Sequence, residues 1–204
     1  MNAKKDELWP GAFTTESLGS ETPRWRTRSS ELLVESRVFN LRRDSSSAGD
    51  SDELFDFYRL EAPDWINVIP LTSDQRVVMI EQFRHGTGEV TLEIPGGMVD
   101  EGETAAEAAA RELFEETGFK IEKLVSLGAS RPNPAIQDNW MHNFLALNVS
   151  AVSRPEFDGA EHTTVRLTPL EQIPELIANG TITHALVILA FYKLSLYNAG
   201  LIPG

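Results

Sequence analysis

Apolar positions follow a two-residue rhythm in some stretches and a 3.6-residue rhythm in others, and the changes between them mark out the elements. From Trp65, "WINVIPLT" and "RVVMIEQF" are β-branched apolar runs, and "SDQ" between them predicts a hairpin. "EVTLEIPGG" alternates Val90, Leu92 and Ile94 with Glu89, Thr91 and Glu93, a half-buried strand entering a glycine turn. "KIEKLVSLGAS", "WMHNFLALNVS" and "HTTVRLTP" read as further strands, the first two separated by the Pro-broken loop "RPNPAIQD". Helical spacing governs the stretch after Thr104, then "LEQIPELIANG", stopped by Gly180, and "THALVILAFYKLSLY". Upstream, "ELLVESRVFNLRR" and "ELFDFYRLE" are strand-like, with "DSSSAGDSD" (44–52) as a flexible connection. So few strands bury little surface alone and need something to pack on. Residues 1–22, with Pro10, Gly11 and Gly19, form a loose arm in this reading. The pattern divides the chain into 1–22 (arm), 23–62 (a small antiparallel β subdomain) and 63–204 (the main domain). There is no internal repeat and no regular βαβ alternation, so the expected class is α+β with a mixed sheet.

The stretch "GGMVDEGETAAEAAARELFEETGF" (96–119) carries the chemistry. Thr104 with Glu107 makes a capping box, so a helix begins just after Thr104, and Gly118 stands where a left-handed residue ends one. The spacing puts Ala106, Ala110, Leu113 and Thr117 on the core face, with Phe114 beside it. Glu112 and Glu116 project together at i and i+4, and Glu115 lies alongside. Ala105 and Ala109 are small enough to let a ligand or a glycine loop approach. Like charges so spaced cost a few tenths of a kcal/mol per pair. Two readings account for them: a solvated acidic face, or a bound cation. Coincidence of the glycine turn Gly96-Gly97, the capping box, the paired glutamates and Arg111 favours the cation. Hard carboxylate oxygens suit Mg²⁺ or Mn²⁺, and glycine lets a phosphate come close.

Composition narrows the partners. A net charge of -13 disfavours nucleic acid and anionic membrane and favours multivalent cations. The absence of cysteine excludes disulfides and thiolate metal sites and fits a reducing cytoplasm. "MNAKKDELWPGAF" has no apolar core of a secretory signal, and "ALVILAFYKLSLY" is too short and interrupted to span a bilayer.

The stretch from Gly97 resembles the signature of the Nudix hydrolases, with Gly97, Glu103, Arg111, Glu112, Leu113, Glu115, Glu116, Gly118 and Phe119 at its fixed positions. The resemblance implies an α/β/α sandwich around a mixed sheet and metal-dependent hydrolysis of a nucleoside diphosphate linked to another group. It implies Glu112 and Glu116 as main metal ligands, Glu115 assisting, and the Gly96 carbonyl joining them; Glu103 and Arg111 tie loop to helix. Gln82-Phe83-Arg84 before Leu92-Glu93-Ile94-Pro95-Gly96, with Pro134 downstream, is similar to the ADP-ribose pyrophosphatase and nucleoside diphosphate sugar hydrolase branch. That likeness makes Arg84 a diphosphate contact. Glu93 becomes a sugar or metal contact or a brace for the turn, and Trp65 a stacking partner for a base or part of the core. Arg131 and Asn133 become further substrate candidates. The general base falls among Glu156, Asp158 and Glu161, with Glu161 chosen because it immediately precedes a strand. The branch also implies a homodimer through the N-terminal strands. "PGG" in place of "PAG", and "RPNPAIQD" in place of the usual Ser-Pro-Gly, keep a broader nucleotide-sugar range open, GDP-mannose included. A sensor that binds nucleotides without cleaving them is the alternative of a different class.

Overall fold

The computed structural model describes residues 22–155 and 162–203. They fall into two compact units: the described part of Met1–Pro63 with Arg131–Trp140, and Asp64–Ser130 with Met141–Gly204.

The smaller unit is a three-stranded antiparallel sheet of β1 (Trp25–Glu35), β2 (Asn40–Ala48) and β3 (Phe55–Glu61), with β2 central. The expected flexible connection at 44–52 is corrected here, because residues 44–48 complete β2. Flanking strands supply partners for the short polar side chains that composition alone assigns to a loop. Ser46 Oγ donates to Thr27 Oγ1 at 3.3 Å, Arg28 Nε to Ser47 Oγ at 3.0 Å, and Arg59 Nε to Asp44 at 2.9 Å. The register puts Trp25, Phe55 and Phe57 on one face, and Trp25 meets both rings edge-on at 5.7 and 5.0 Å. The segment 131–140 is built into the same unit. Leu60 N donates to Ile136 O at 2.7 Å, and Arg59 pairs with Asp138.

The larger unit is a sandwich. Its mixed sheet runs β12 (Thr163–Pro169), β5 (Arg76–Arg84), β4 (Trp65–Leu71), β10 (Met141–Leu147), β9 (Lys123–Ser130). β6 (Glu89–Glu93) pairs with β5, β7 (Gly96–Met98) with β4, and β4 and β10 run parallel. A short ribbon joins β8 (Phe119–Lys120) to β11 (Ser150–Ala151). Alternation along β4 decides what covers each face. Ile66 and Val68 join Ala108, Ala109 and Leu113 of α1 (Ala105–Thr117) in one core. Ile69 and Leu71 face the other way, into a core with α2 (Ile173–Ala178) and α3 (Ala185–Asn198). α3 is apolar on most of its sides and turns Val187, Ala190, Phe191 and Leu194 inward. No helix among the described residues is long and apolar enough to cross a membrane.

Helix α1 begins and ends as its sequence predicts, with the reciprocal Thr104–Glu107 capping box and Gly118 left-handed at φ 73°. Its buried face is rotated from the expected one. Ala106 and Ala110 are exposed, and Ala108, Ala109, Leu113, Glu116 and Thr117 are buried. Ala109 therefore packs into the core and leaves no room for a ligand. The face is set by packing of Ala108, Ala109 and Leu113 on Ile66 and Val68, and Glu116 is buried beside it with the Gly96 N–H as a partner.

Candidate active site

The donor is Gly96. Its N–H gives a hydrogen bond to Glu116 Oε2 at 3.1 Å, and the preceding Pro95 O accepts from Val68 N at 2.9 Å. Antiparallel pairing of β4 with β7 sets Asn67 opposite Gly96, Ile66 opposite Gly97 and Trp65 opposite Met98. Gly96 has no room for a side chain, and one on Gly97 would have to move the Glu112 carboxylate aside. A Cβ on Gly96 would lie 2.5 Å from Ile66 O and 2.6 Å from Asn67 Oδ1, and one on Gly97 would run into the Glu112 carboxylate.

Arg111 is the centre of the polar network. Its guanidinium donates to Glu103 through Nε and NH2 at 3.0 and 2.9 Å, and through NH1 to Glu112 Oε1 at 2.9 Å and Glu115 Oε2 at 3.2 Å. A further bond to Met98 O at 3.1 Å ties the loop to the helix. The bond from Arg111 holds the Glu103 carboxyl below its ordinary range. Conversely, Glu103, with Glu112 behind it, holds the guanidinium charge more firmly than usual, against burial. The acidic repulsion that the sequence assigns to a bound cation is thus offset in part by a cation of the chain itself.

Arg84 and Glu93 lie together. Glu93 is 2% exposed, which departs from the outward position its alternation predicts. Its partners explain this: Arg84 Nε and NH2 grip the two carboxylate oxygens at 2.8 and 2.7 Å, and Thr91 Oγ1 adds a bond at 2.6 Å. Burial pushes the Glu93 pKa up, but Arg84 and Thr91, helped by the charge of His184 at the start of α3, carry it below the ordinary value. Trp65 opens β4, half-buried, two pairs along from Asn67. Arg131 and Asn133 belong to the smaller unit. Arg131 stacks on Trp140 at 3.8 Å and donates to Asp138 O. Asn133 is exposed, and its carbonyl accepts from Ile136 N and Gln137 N in a turn. Glu161, Glu156 and Asp158 lie outside the described residues.

The donor set suits a hard divalent cation. Among the described residues no three acidic or imidazole groups converge on one point as they stand, since Glu112 and Glu115 are turned onto Arg111. All the donors are oxygens, however, and Glu112 and Glu116 already rest against the glycine turn, so rotation of long side chains is all that gathering them requires. Two participants escape a reading of the sequence alone, Asn67 and His184. Asn67 does leave a trace, as the single amide in the apolar run "WINVIPL".

Comparison with known proteins agrees with this arrangement. The NUDIX domain family model matches residues 63–191. The chain belongs to the Nudix family. This Nudix chain is 31% identical over 138 residues to an ADP-ribose pyrophosphatase of Bacillus subtilis, covering 67% of the chain and 75% of the relative. It is 27% identical over 173 residues to an ADP-ribose pyrophosphatase of Mycobacterium tuberculosis, covering 80% of each. A CMP-5'-(N-acetyl-N-hydroxy-3-aminopropyl)phosphonate hydrolase of Streptomyces rubellomurinus is 29% identical over 186 residues, covering 89% of the chain and 87% of that protein. The crystal structure of an ADP compounds hydrolase shares the fold, with TM-score 0.76 and 22% identity, covering 90% of this chain and all of that one.

Proposed function

We propose that this Nudix chain is a divalent-metal-dependent pyrophosphohydrolase acting on nucleoside diphosphate sugars, ADP-ribose first among them, and releasing a nucleoside monophosphate and a sugar phosphate. The observation that carries the reading is the intact carboxylate set Glu112, Glu115 and Glu116, gathered by Arg111 and the glycine turn. Relatives named as ADP-ribose pyrophosphatases support the substrate class.

Glu112, Glu115, Glu116 and the Gly96 carbonyl would hold Mg²⁺ or Mn²⁺. When bound, such an ion neutralises charge on the diphosphate and lowers the pKa of a coordinated water. Arg84 meets the diphosphate with the part of its guanidinium left exposed, and Glu93 fixes the orientation of that fork. A carboxylate then takes the proton of the attacking water, and Glu161 is the assignment. The exposed rings of Trp25, Phe55 and Phe57 support a homodimer through the N-terminal sheet. A cysteine-free chain suits the cytoplasm.

Product analysis with purified protein and Mg²⁺ tests the reading, on ADP-ribose, GDP-mannose, UDP-glucose and a nucleoside triphosphate, with Glu116→Gln as control. Rapid cleavage of ADP-ribose, lost in the variant, supports it, and preference for GDP-mannose moves the assignment to a broader nucleotide-sugar hydrolase. Tight binding without turnover makes the chain a sensor and refutes hydrolysis.

A further inference from the structure

We infer that Asn67 is a positioning residue for the metal-binding glycine turn and couples that turn to helix α3; the inference rests on the functional reading above. Asn67 sits in the middle of β4 and is 6% exposed. An amide so placed costs stability unless its polar atoms are used. Its Nδ2 donates to Leu186 O, in the first turn of α3, at 3.1 Å. Its Oδ1 occupies the space beside Gly96, 2.6 Å from where a Cβ would stand. On its other side β10 offers Asn143, paired with it in register and completely buried.

Gly96 is therefore held from two directions. Glu116 of α1 takes its N–H, and the Asn67 carboxamide, oriented by α3, closes the space over its Cα. The Gly96 N–H lies in the peptide shared with Pro95, whose carbonyl Val68 N holds, and the Gly96 carbonyl lies in the next peptide; the Asn67 carboxamide packed beside Gly96 limits turning between the two planes, so the direction of that carbonyl is set before any ion arrives. Leucine in place of Asn67 would continue the stripe of Ile69 and Leu71 but would offer nothing to Leu186 O. Asn67 thus stands where the glycine turn and the first turn of α3 meet.

The test is Mn²⁺ binding by Asn67→Ala, followed by the electron paramagnetic resonance signal of the free ion, beside thermal unfolding and kcat. Leu194→Ala, a core truncation further along α3, controls for lost stability. Loss of a residue that orients a metal ligand weakens metal affinity by roughly 10–100-fold. A rise of that size in the Mn²⁺ dissociation constant of Asn67→Ala, with Leu194→Ala unchanged, is the expected result. Wild-type Mn²⁺ affinity in Asn67→Ala, or equal weakening in both variants, overturns the inference. If Asn67→Ala does not fold, Asn67→Ser, too short to reach Leu186 O, takes its place under the same criteria. A wild-type chain that neither binds Mn²⁺ nor hydrolyses a diphosphate sugar overturns the functional reading and this inference with it. A wild type that does both, with Asn67→Ala unaltered, overturns this inference alone.

Discussion

Removing Arg84 isolates a buried charge, and the consequence can be worked out from the structure. Glu93 is 2% exposed and accepts two parallel bonds from Arg84. In Arg84→Ala it keeps only the bond from Thr91 among the partners described above. Stripping one partner from a buried ion pair costs about 3–5 kcal/mol. The Arg84 side chain is 40% exposed, so water can enter the vacated space, and a value of about 3 kcal/mol at pH 7 follows, toward the lower end. For a chain of this size that is roughly 6–12 °C in Tm. In the wild type the folded pKa of Glu93 is depressed, so its contribution is complete above the unfolded value and lost as pH falls through the folded one. In Arg84→Ala burial goes largely unopposed and the folded pKa rises. The sign then reverses: the penalty is full at neutral pH and fades as pH falls toward about 4.3, the ordinary glutamate value. Scanning calorimetry at pH 7 and pH 5 measures both effects. The gap in Tm between wild type and Arg84→Ala should narrow at pH 5, and Arg84→Ala/Glu93→Gln should recover most of it at pH 7. An equal gap at both pH values, or no recovery in the double variant, refutes the reasoning.

Two further substitutions test the frame around the site. Gly118→Ala forces a side chain into φ 73° and against Ser153 O, so it should destabilise by about 2–3 kcal/mol in urea unfolding. Phe57→Asp places a charge on the exposed aromatic face of the small sheet, where Phe57 is 45% exposed. It should shift light-scattering mass from dimer to monomer, and losing the edge-on contact with Trp25 and facing Asp44 across the strands should also cost the monomer about 0.5–1.5 kcal/mol.

What was legible in the sequence was mostly local. The capping box joins residues three apart, and the left-handed stop at Gly118 needs only its own backbone, so both ends of α1 are found where the pattern puts them. Which side of β4 meets α1 and which meets α2 and α3 was not legible, because "WINVIPLT" is apolar at nearly every position and α3 is apolar on most sides. What escaped depends on partners brought from elsewhere. Glu93 reads as outward until Arg84, nine residues away on the next strand, comes against it. The serines of β2 read as a loop until Thr27 and Arg28 lie alongside. Arg59 meets Asp138 across 79 residues, a separation that no local pattern spans. The carboxylates of α1 were visible as a group, but the hydrogen bonds that divide them between Arg111 and Gly96 were not.

That division bears on how the protein lives without its ion. Small domains whose acidic or thiolate ligands have no other counter-charge unfold when a chelator removes the metal, because binding free energy and folding free energy are the same quantity. Here Arg111, a group that does not lose its proton, supplies a built-in counter-ion to Glu103, Glu112 and Glu115. If Glu112 and Glu115 take the proposed ion, it has to displace the guanidinium from them, so loading would be an exchange of one cation for another. On that reading scarcity of metal would silence the enzyme without unfolding it, and the supply of the ion would govern how much of the protein is active, not how much of it survives.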